Sequence, residues 1–535
     1  MFASRHARCR LLSTFTLLAT FSVAGCASLP PAASQPKPVT KALDPPADSP
    51  LTKAFQPLAK SHGGDSGFRM ISTGIDGLTA RVEMIDAAQG SLDVQSYIFR
   101  ADESGNLIVQ ALLRAAERGV RIRILVDDGE SVAGDEKILS LSAQAGFEVR
   151  IYNPLSYRGH NKLRRGAEFL FNKERVDYRM HNKLMVADNV VAMIGGRNIG
   201  NQYFQIDPTS QFGDDDLVVA GPIVPQLSAV FDEFWNSPIV IPAQAVDTAD
   251  TTEQALAEYR AVLDGYREQL DAKHPRSAEG ARKQPFPDIM SGRTPLHWGS
   301  VKVVYDSPDK KDVGKGHAPG RLIYKAVAEQ ANAVSTELLM VTPYFVPSSE
   351  ESAVLKAERE RHARVRVLTN SLEAAPSLEA QSGYMHHRVP LLQEGVELYE
   401  VRALLGSTRG SGQGRAISRH GNYGLHAKMY VFDRKTSFVG SLNFDQRSKH
   451  LNTEIGLMIG STELSGEIAT RFDALTQPEN SYVVSLSENA KGKQHLVWTT
   501  EENGTLVHYE KEPARNAWQR TKVRLLSLLP LDQEL

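Results

Sequence analysis

Apolar residues recur along this chain at two alternating periods. SLDVQSYIFR (91–100) is a short apolar-rich run of strand type. ALLRAAERGVRIRILVDD (111–128) reads as an amphipathic helix, a turn and a strand, and GFEVRIYNP (146–154) supplies a further strand. The same series returns in the second half. TELLMVTPYFVP (336–347) parallels the first run, AVLKAERERHARVRVLTN (353–370) the second, and GVELYEVRA (395–403) the third. Strands alternating with helices predict βαβ units. The expected fold class is therefore α/β: two duplicated α/β/α sandwich domains, spanning 66–245 and 298–477.

Between the halves, TTEQALAEYRAVLDGYREQLDAKHP (251–275) has the pattern of a charged amphipathic helix, and RSAEGARKQPFP (276–287) that of a linker. Residues 246–297 are thus expected to be a helical connector. Beyond residue 477, Asn503-Gly504 stands between alternating apolar residues, which is a strong hairpin signal. Residues 478–535 are expected to form a small β appendage on the second domain.

The N-terminus departs from this pattern. Arg5, Arg8 and Arg10 precede an apolar stretch from Leu11 to Val23, followed by Ala24-Gly25-Cys26. That is a secretory signal in outline, too short for a comfortable membrane span. Small residues directly before a cysteine resemble a bacterial lipoprotein signal. The resemblance implies removal of residues 1–25 and lipidation of Cys26, with acyl chains anchoring the protein. A plain secretory signal or an uncleaved anchor is the alternative. Residues 26–65 begin rich in Pro, Ala and Ser, and are expected to be a semi-extended tether. The expected location is a bacterial membrane facing the periplasm. Ala27 after the cysteine favours the outer membrane.

Composition narrows the partners. The chain has 535 residues, 41% hydrophobic and 23% charged, ample for sizeable cores. Its formal net charge is -2. Three arginines leave with the signal, so 58 basic face 63 acidic side chains in the remainder. Such a balance argues against a nucleic-acid binder. Cys9 and Cys26 are the only cysteines, so neither a structural disulfide nor a cysteine-based metal site is expected.

Candidate chemistry lies in the repeat. His181, Lys183 and Asp188 form a His-x-Lys-x4-Asp pattern that recurs as His426, Lys428 and Asp433. Gly195 and Gly440 each lie 14 residues after their histidine, and Asn198 and Asn443 each lie 17 after it. His160-Asn161-Lys162 lacks the aspartate, having Ala167 instead, and is read as a loop. Around it, bases interleave with Tyr157, Phe169 and Phe171, which suits contact with a membrane surface, a solvated loop or contact with nucleic acid. On a strand, residues i and i+2 share a face, so each histidine converges with its lysine. Two such faces meeting would make a cationic cleft suited to a phosphodiester. One imidazole can attack phosphorus, and the other can protonate the leaving oxygen. The lysines, Asn198 and Asn443 would hold phosphoryl oxygens. No cofactor and no metal ion is required.

Asp188 and Asp433 are expected to act structurally, by hydrogen bonding the active-site loop. Aligning Gly460 with Gly221 pairs Glu454 with Asp215, and these carboxylates are expected to orient the histidines, with Asp214 and Asp216 as adjacent competitors. Arg197 and Arg447 are read as structural ion pairs rather than phosphate ligands. Tyr97 and Tyr344 are read as cleft wall or core.

The two complete HxKxxxxD motifs, each followed by its Gly and Asn, resemble the phospholipase D superfamily over residues 66–476. RMHNKLMVADN, IGGRNIGNQYF, GPIVPQLSAVFDEFWNS and LHAKMYVFD resemble bacterial cardiolipin synthases of the C type. The resemblance implies phosphatidyl transfer to phosphatidylglycerol through a phosphohistidine, from phosphatidylglycerol or phosphatidylethanolamine. It also implies His181 as nucleophile and His426 as acid and base. Rival readings are a hydrolase releasing phosphatidic acid, a nuclease of the same fold, and a non-catalytic lipid-binding lipoprotein.

Overall fold

The computed structural model describes residues 34–129, 136–157, 168, 172–247, 251–273, 284–310, 322–405 and 422–529. The signal, Cys26, His160 to Lys162, Phe169 and Phe171 lie outside the described residues.

The first half contributes β1 (Ser66–Ile71), β2 (Ser91–Ser96), β3 (Arg121–Asp127), β4 (Phe147–Tyr152), β5 (Leu184–Ala187), β6 (Val191–Gly195), β7 (Gln211–Gly213), β8 (Asp216–Ala220) and β9 (Val240–Pro242). The second contributes β10 (His297–Tyr305), β11 (Glu337–Val341), β12 (Arg364–Asn370), β13 (Glu397–Val401), β14 (Tyr423–Leu425), β15 (Met429–Phe432), β16 (Thr436–Gly440) and β17 (Ile455–Gly460). The tail adds β18 (Ser481–Glu488), β19 (Gln494–Glu502) and β20 (Thr505–Tyr509).

Both halves share one topology. β2, β3 and β4 run parallel, as do β11, β12 and β13. Antiparallel β5, β6, β8 and β1 continue the first sheet, and β15, β16, β17 and β10 the second. The parallel strands need helical crossovers, supplied by Glu103–Glu117 and Ser349–Glu360, among others. β1 pairs with β10, so the two sheets join edge to edge.

One hydrophobic cluster lies in each half, and a third is shared. The shared core joins Phe231 and Trp235, from helix Val224–Asn236, to Ile468 and Phe472, from helix Thr462–Leu475. Apolar burial at about 25 cal/mol per Å² favours keeping such faces together, which fixes the halves against each other.

Two expectations about the flanks change. The tether is not free along its described part. Thr40 accepts a bond from Trp235 Nε1 at 2.9 Å, Ala42 N donates to Asp232 at 2.8 Å, and Lys37 donates to Ser237 and Val240 carbonyls. Residues Pro50–Ser61 form a helix, capped by Ser49, that buries Leu51 and Phe55. Composition flagged the prolines but not the domain's own donors and acceptors, which satisfy this backbone.

The connector belongs to the first half. Tyr259 and Leu263 of helix Glu253–Lys273, and Phe286 and Ile289 of helix Pro285–Met290, all enter its core. The tail is the expected β addition to the second half, with β18 pairing with β13 as β9 pairs with β4. Asn503 and Gly504 both have positive φ (53° and 79°), as a tight β19–β20 hairpin requires. Helix Ala517–Leu526 then closes the chain's described part.

Candidate active site

Each motif ends its approach just before a strand: His181 and Lys183 precede β5, and His426 and Lys428 precede β15. Their backbones are fixed by the opposite half. His181 N donates to Thr453 O (2.9 Å), and Thr453 N to Arg179 O (2.9 Å). His426 N donates to Gly213 O (2.8 Å), beyond the parallel pairing of β14 with β7. The two histidines are thus placed by the seam between the halves.

The side chains are crossed as well. Nδ1 of His181 lies 2.9 Å from Glu454 in the second half, and Nδ1 of His426 lies 2.5 Å from Asp214 in the first. A carboxylate on Nδ1 fixes the tautomer and leaves Nε2 for chemistry. Lys183 Nζ donates to His181 O, and Lys428 Nζ lies 2.9 Å from its histidine's ring. All four side chains are buried, at 7%, 3%, 6% and 1% exposure for His181, Lys183, His426 and Lys428.

The electrostatics follow from that burial. Desolvation and the ammonium groups of both lysines hold His181 well below the usual imidazole range. Burial, then Lys428, lowers His426 to about 3. Both rings are therefore neutral near pH 7, as a nucleophile or base must be. Burial lowers Lys428 to about 8 and Lys183 well below its usual value. Burial raises Glu454 to about 7, while His426 and Lys428 bring Asp214 down to about 2 despite burial.

The pairing of Asp215 with a histidine is corrected by the register. β6 pairs Gly195 with Asp216, and β16 pairs Gly440 with Gly456. Counting back two from each partner makes Asp214, not Asp215, the counterpart of Glu454. Asp215 turns to the other face and binds Arg471 Nε at 3.0 Å. Matching Gly221 with Gly460 slipped by one residue, and a one-residue slip in a strand reverses the face.

The small residues in the two motifs are matched to their carboxylates. Gly196 stands where Ser441 stands in the second copy. A Cβ on Gly196 would lie 2.2 Å from Asp214 Oδ1, so glycine makes room for the short acid. Ser441 Oγ instead donates to the longer Glu454 at 2.5 Å. Sequence reasoning passed over both positions; the GG against GS difference was the available signal.

Other expected residues fall as follows. Asp188 accepts from the amides of Gln89, Gly90 and Ser91, and Asp433 from those of Ser335, Thr336 and Glu337. Both aspartates stand at the far end of their strand from the histidine. They hold the turns that open β2 and β11, not the active-site loop. Asn198 Oδ1 accepts from Ile98 N at 3.2 Å, whereas Asn443 Oδ1 is buried without a hydrogen-bond partner among the described residues. Arg197 pairs with Asp216 at 2.7 Å, and Arg447 with Asp177 at 2.8 Å. Tyr97 meets His181 edge-on at 5.1 Å between centroids, while Tyr344 is half-buried. Tyr157 is half-buried, its amide donating to Glu168. Tyr203 and Phe212 pack on His426 at 5.1 and 5.4 Å, contacts that no motif announced.

A positioning layer lies behind Glu454. Lys310 Nζ bonds Asp306 (2.7 Å) and the carbonyls of Ser448 (2.8 Å) and Asn452 (2.6 Å), and Asp306 Oδ2 accepts from Glu454 N at 3.2 Å. In the first half Arg197 does the equivalent work, donating to the Asp214 and Ser72 carbonyls. Among the described residues, no group of three or more His, Cys, Asp or Glu could hold a metal ion.

Two histidine–lysine pairs held crosswise by two half-domains is the arrangement a family comparison must explain. A family model described as cardiolipin synthase, PLD-like domain, matches residues 82–235 and 327–476. The chain belongs to this phospholipase D-like family. Each match spans one motif and the acid that holds the other motif's histidine. Family members similar to it include cardiolipin synthase C of Escherichia coli, 33% identical over 90% of this chain and 99% of that one. Cardiolipin synthase 1 of Bacillus anthracis is 23% identical over 79% of this chain and 69% of its own length. Among solved structures, the phosphatidylserine synthase of Haemophilus influenzae superposes with a TM-score of 0.51 at 15% identity, covering 81% of this chain and 92% of that one, a likeness of fold.

Proposed function

We infer that this PLD-like family member is a phosphatidyltransferase that makes cardiolipin from phosphatidylglycerol and a second phospholipid. The observation that carries this reading is the crossed site, two imidazoles each oriented through Nδ1 and each beside a buried lysine. Similarity to a cardiolipin synthase over 90% of the chain supports the choice of lipid substrate.

In the first step His181 Nε2 attacks phosphorus. A P–N bond forms and the P–O bond to the headgroup breaks. His426, which takes up a proton on Nε2 as the phosphodiester anion binds opposite Asp214, gives that oxygen its proton. The headgroup alcohol leaves. In the second step His426 takes the proton from a hydroxyl of phosphatidylglycerol. That oxygen attacks phosphorus, the P–N bond breaks, and His181 is regenerated. Lys183, Lys428, Asn198 and Asn443 bind the phosphoryl oxygens, where fixed donors act most strongly in a water-poor site. Burial of all four side chains keeps water from competing with the lipid alcohol. No helix among the described residues is long and apolar enough to cross a membrane. The support for attachment by acylation of Cys26, with the catalytic halves on the periplasmic side at the outer membrane, is the lipoprotein-like pattern from Arg5 to Ala27.

The test is incubation of the purified protein with phosphatidylglycerol vesicles. Cardiolipin plus glycerol is expected. Phosphatidic acid alone would show hydrolysis instead, and His181→Ala is expected to abolish both while the fold is kept.

A further inference from the structure

Among the described residues, the last helix is the element whose large apolar side chains face outward together. Along Ala517–Leu526 and the turn after it, Trp518, Leu525, Leu528 and Leu529 are 68%, 57%, 80% and 52% exposed. At about 100° per residue, positions 518 and 525 fall on one line with Lys522 beside it, and Leu528 and Leu529 follow in the turn. Val523, on the opposite side, is fully buried, so the helix is already docked by its other face. Lys522 and Arg524 are both exposed, Lys522 next to the apolar line and Arg524 on the flank of the helix.

Where this helix sits gives the stripe its meaning. Gln519 Nε2 donates to Leu372 O (2.7 Å), and Arg515 Nε to Glu373 O (2.7 Å). Residues 371–374 form the loop that follows β12, at the C-terminal edge of the parallel strands. Asn370, the last residue of β12, exchanges bonds of 2.8 and 2.9 Å with Leu425, the residue before His426. The helix is therefore anchored to the edge of the sheet that carries the catalytic histidine.

We propose that the C-terminal helix is an interfacial membrane-docking element: its Trp518–Leu525 line, with Leu529 in the turn after it, enters an anionic phospholipid surface and its lysine and arginine meet the headgroups. The chemistry fits that partner. Tryptophan and leucine partition into the headgroup–acyl boundary, and each nearby cation adds about 1 kcal/mol on an anionic leaflet. With this contact, the histidine edge of the second sheet is brought to the lipids it acts on. This placement rests on the phosphatidyltransferase reading, whereas the binding itself does not.

The experiment uses the full chain with vesicles of phosphatidylglycerol and phosphatidylcholine. Trp518 emission is isolated by subtracting a Trp518→Phe chain. Expected are a blue shift and quenching by lipids brominated in the acyl chain, both weakened at least about fivefold by Lys522→Gln with Arg524→Gln. Trp518→Ser with Leu525→Ser and Leu529→Ser is expected to lower turnover on vesicles at least about tenfold, with turnover of short-chain, monomeric phosphatidylglycerol unchanged. These positions are exposed, so the triple variant is expected to keep the parent's unfolding temperature. Unshifted, unquenched Trp518 overturns the proposal. Shielding of Trp518 in a concentration-dependent dimer without vesicles overturns it too, in favour of a second copy. No turnover of the short-chain lipid by the unsubstituted chain, with quenching intact, overturns the enzymatic reading alone.

Discussion

Replacing Asp214 with asparagine tests the crossed pairing at its sharpest point. The carboxylate lies 2.5 Å from His426 Nδ1, which puts the centres of charge of the pair about 4 Å apart once the ring is protonated. At an effective dielectric near 20, that attraction is about 4 kcal/mol. His426 must be an imidazolium to act as acid in the first half-reaction and becomes one as base in the second, so the loss falls on both chemical steps. About a thousandfold lower kcat follows, since each 1.36 kcal/mol is tenfold. An amide can also donate to Nδ1 and lock the wrong tautomer, which deepens the loss. Asp215→Asn, one residue on, breaks only a pair with Arg471 on the other face. It is expected to keep turnover within about tenfold and to cost about 1–2 kcal/mol of stability. The assay is cardiolipin formation from phosphatidylglycerol, with thermal unfolding as control. Asp214→Asn within tenfold of the parent, or Asp215→Asn as the disabling change, would refute the reasoning.

Gly196→Ala is expected to push Asp214 off His426 and lower kcat at least about a hundredfold, because the added Cβ meets Asp214 Oδ1 at 2.2 Å; steady-state kinetics check it. Asp433→Ala is expected to lower stability by about 1–3 kcal/mol and leave kcat per folded molecule unchanged, as urea unfolding beside activity will show. The amide and hydroxyl donors around Asp433 hold its carboxyl far below the usual range despite partial burial. Its stabilisation is therefore present above about pH 4, the unfolded value, and is lost as pH falls through the folded one. Lys428 sits near 8 in the free protein, so kcat/KM is expected to fall as pH rises past 8 and the ammonium is lost, an alkaline limb that Lys428→Arg moves upward. Lys310→Met leaves Asp306 buried without its cation and frees the 448–454 loop behind Glu454; a loss of about 3–5 kcal/mol in unfolding free energy and a fall in kcat are expected.

What the chain alone determined was the duplication, the α/β class and the two histidine–lysine pairs. Apolar period marks helices and strands locally, and a spacing repeated at 14 and 17 residues marks equivalent positions, so both can be read without neighbours. The hairpin at Asn503-Gly504 is legible for the same reason, since the turn's backbone demand is met by two adjacent residues. The folded molecule alone decided which acid faces which base. Asp214, Asp215 and Asp216 are consecutive carboxylates, and only the β6–β8 register tells which one turns toward His426 and which toward Arg471 or Arg197. Equally, no pattern places Glu454 on His181, 273 residues earlier, or Lys310 behind that loop. Those contacts are set by two half-domains closing on a shared core. The partners of a buried charge are chosen by packing across the whole chain, whereas the period of a strand is written in its own few residues.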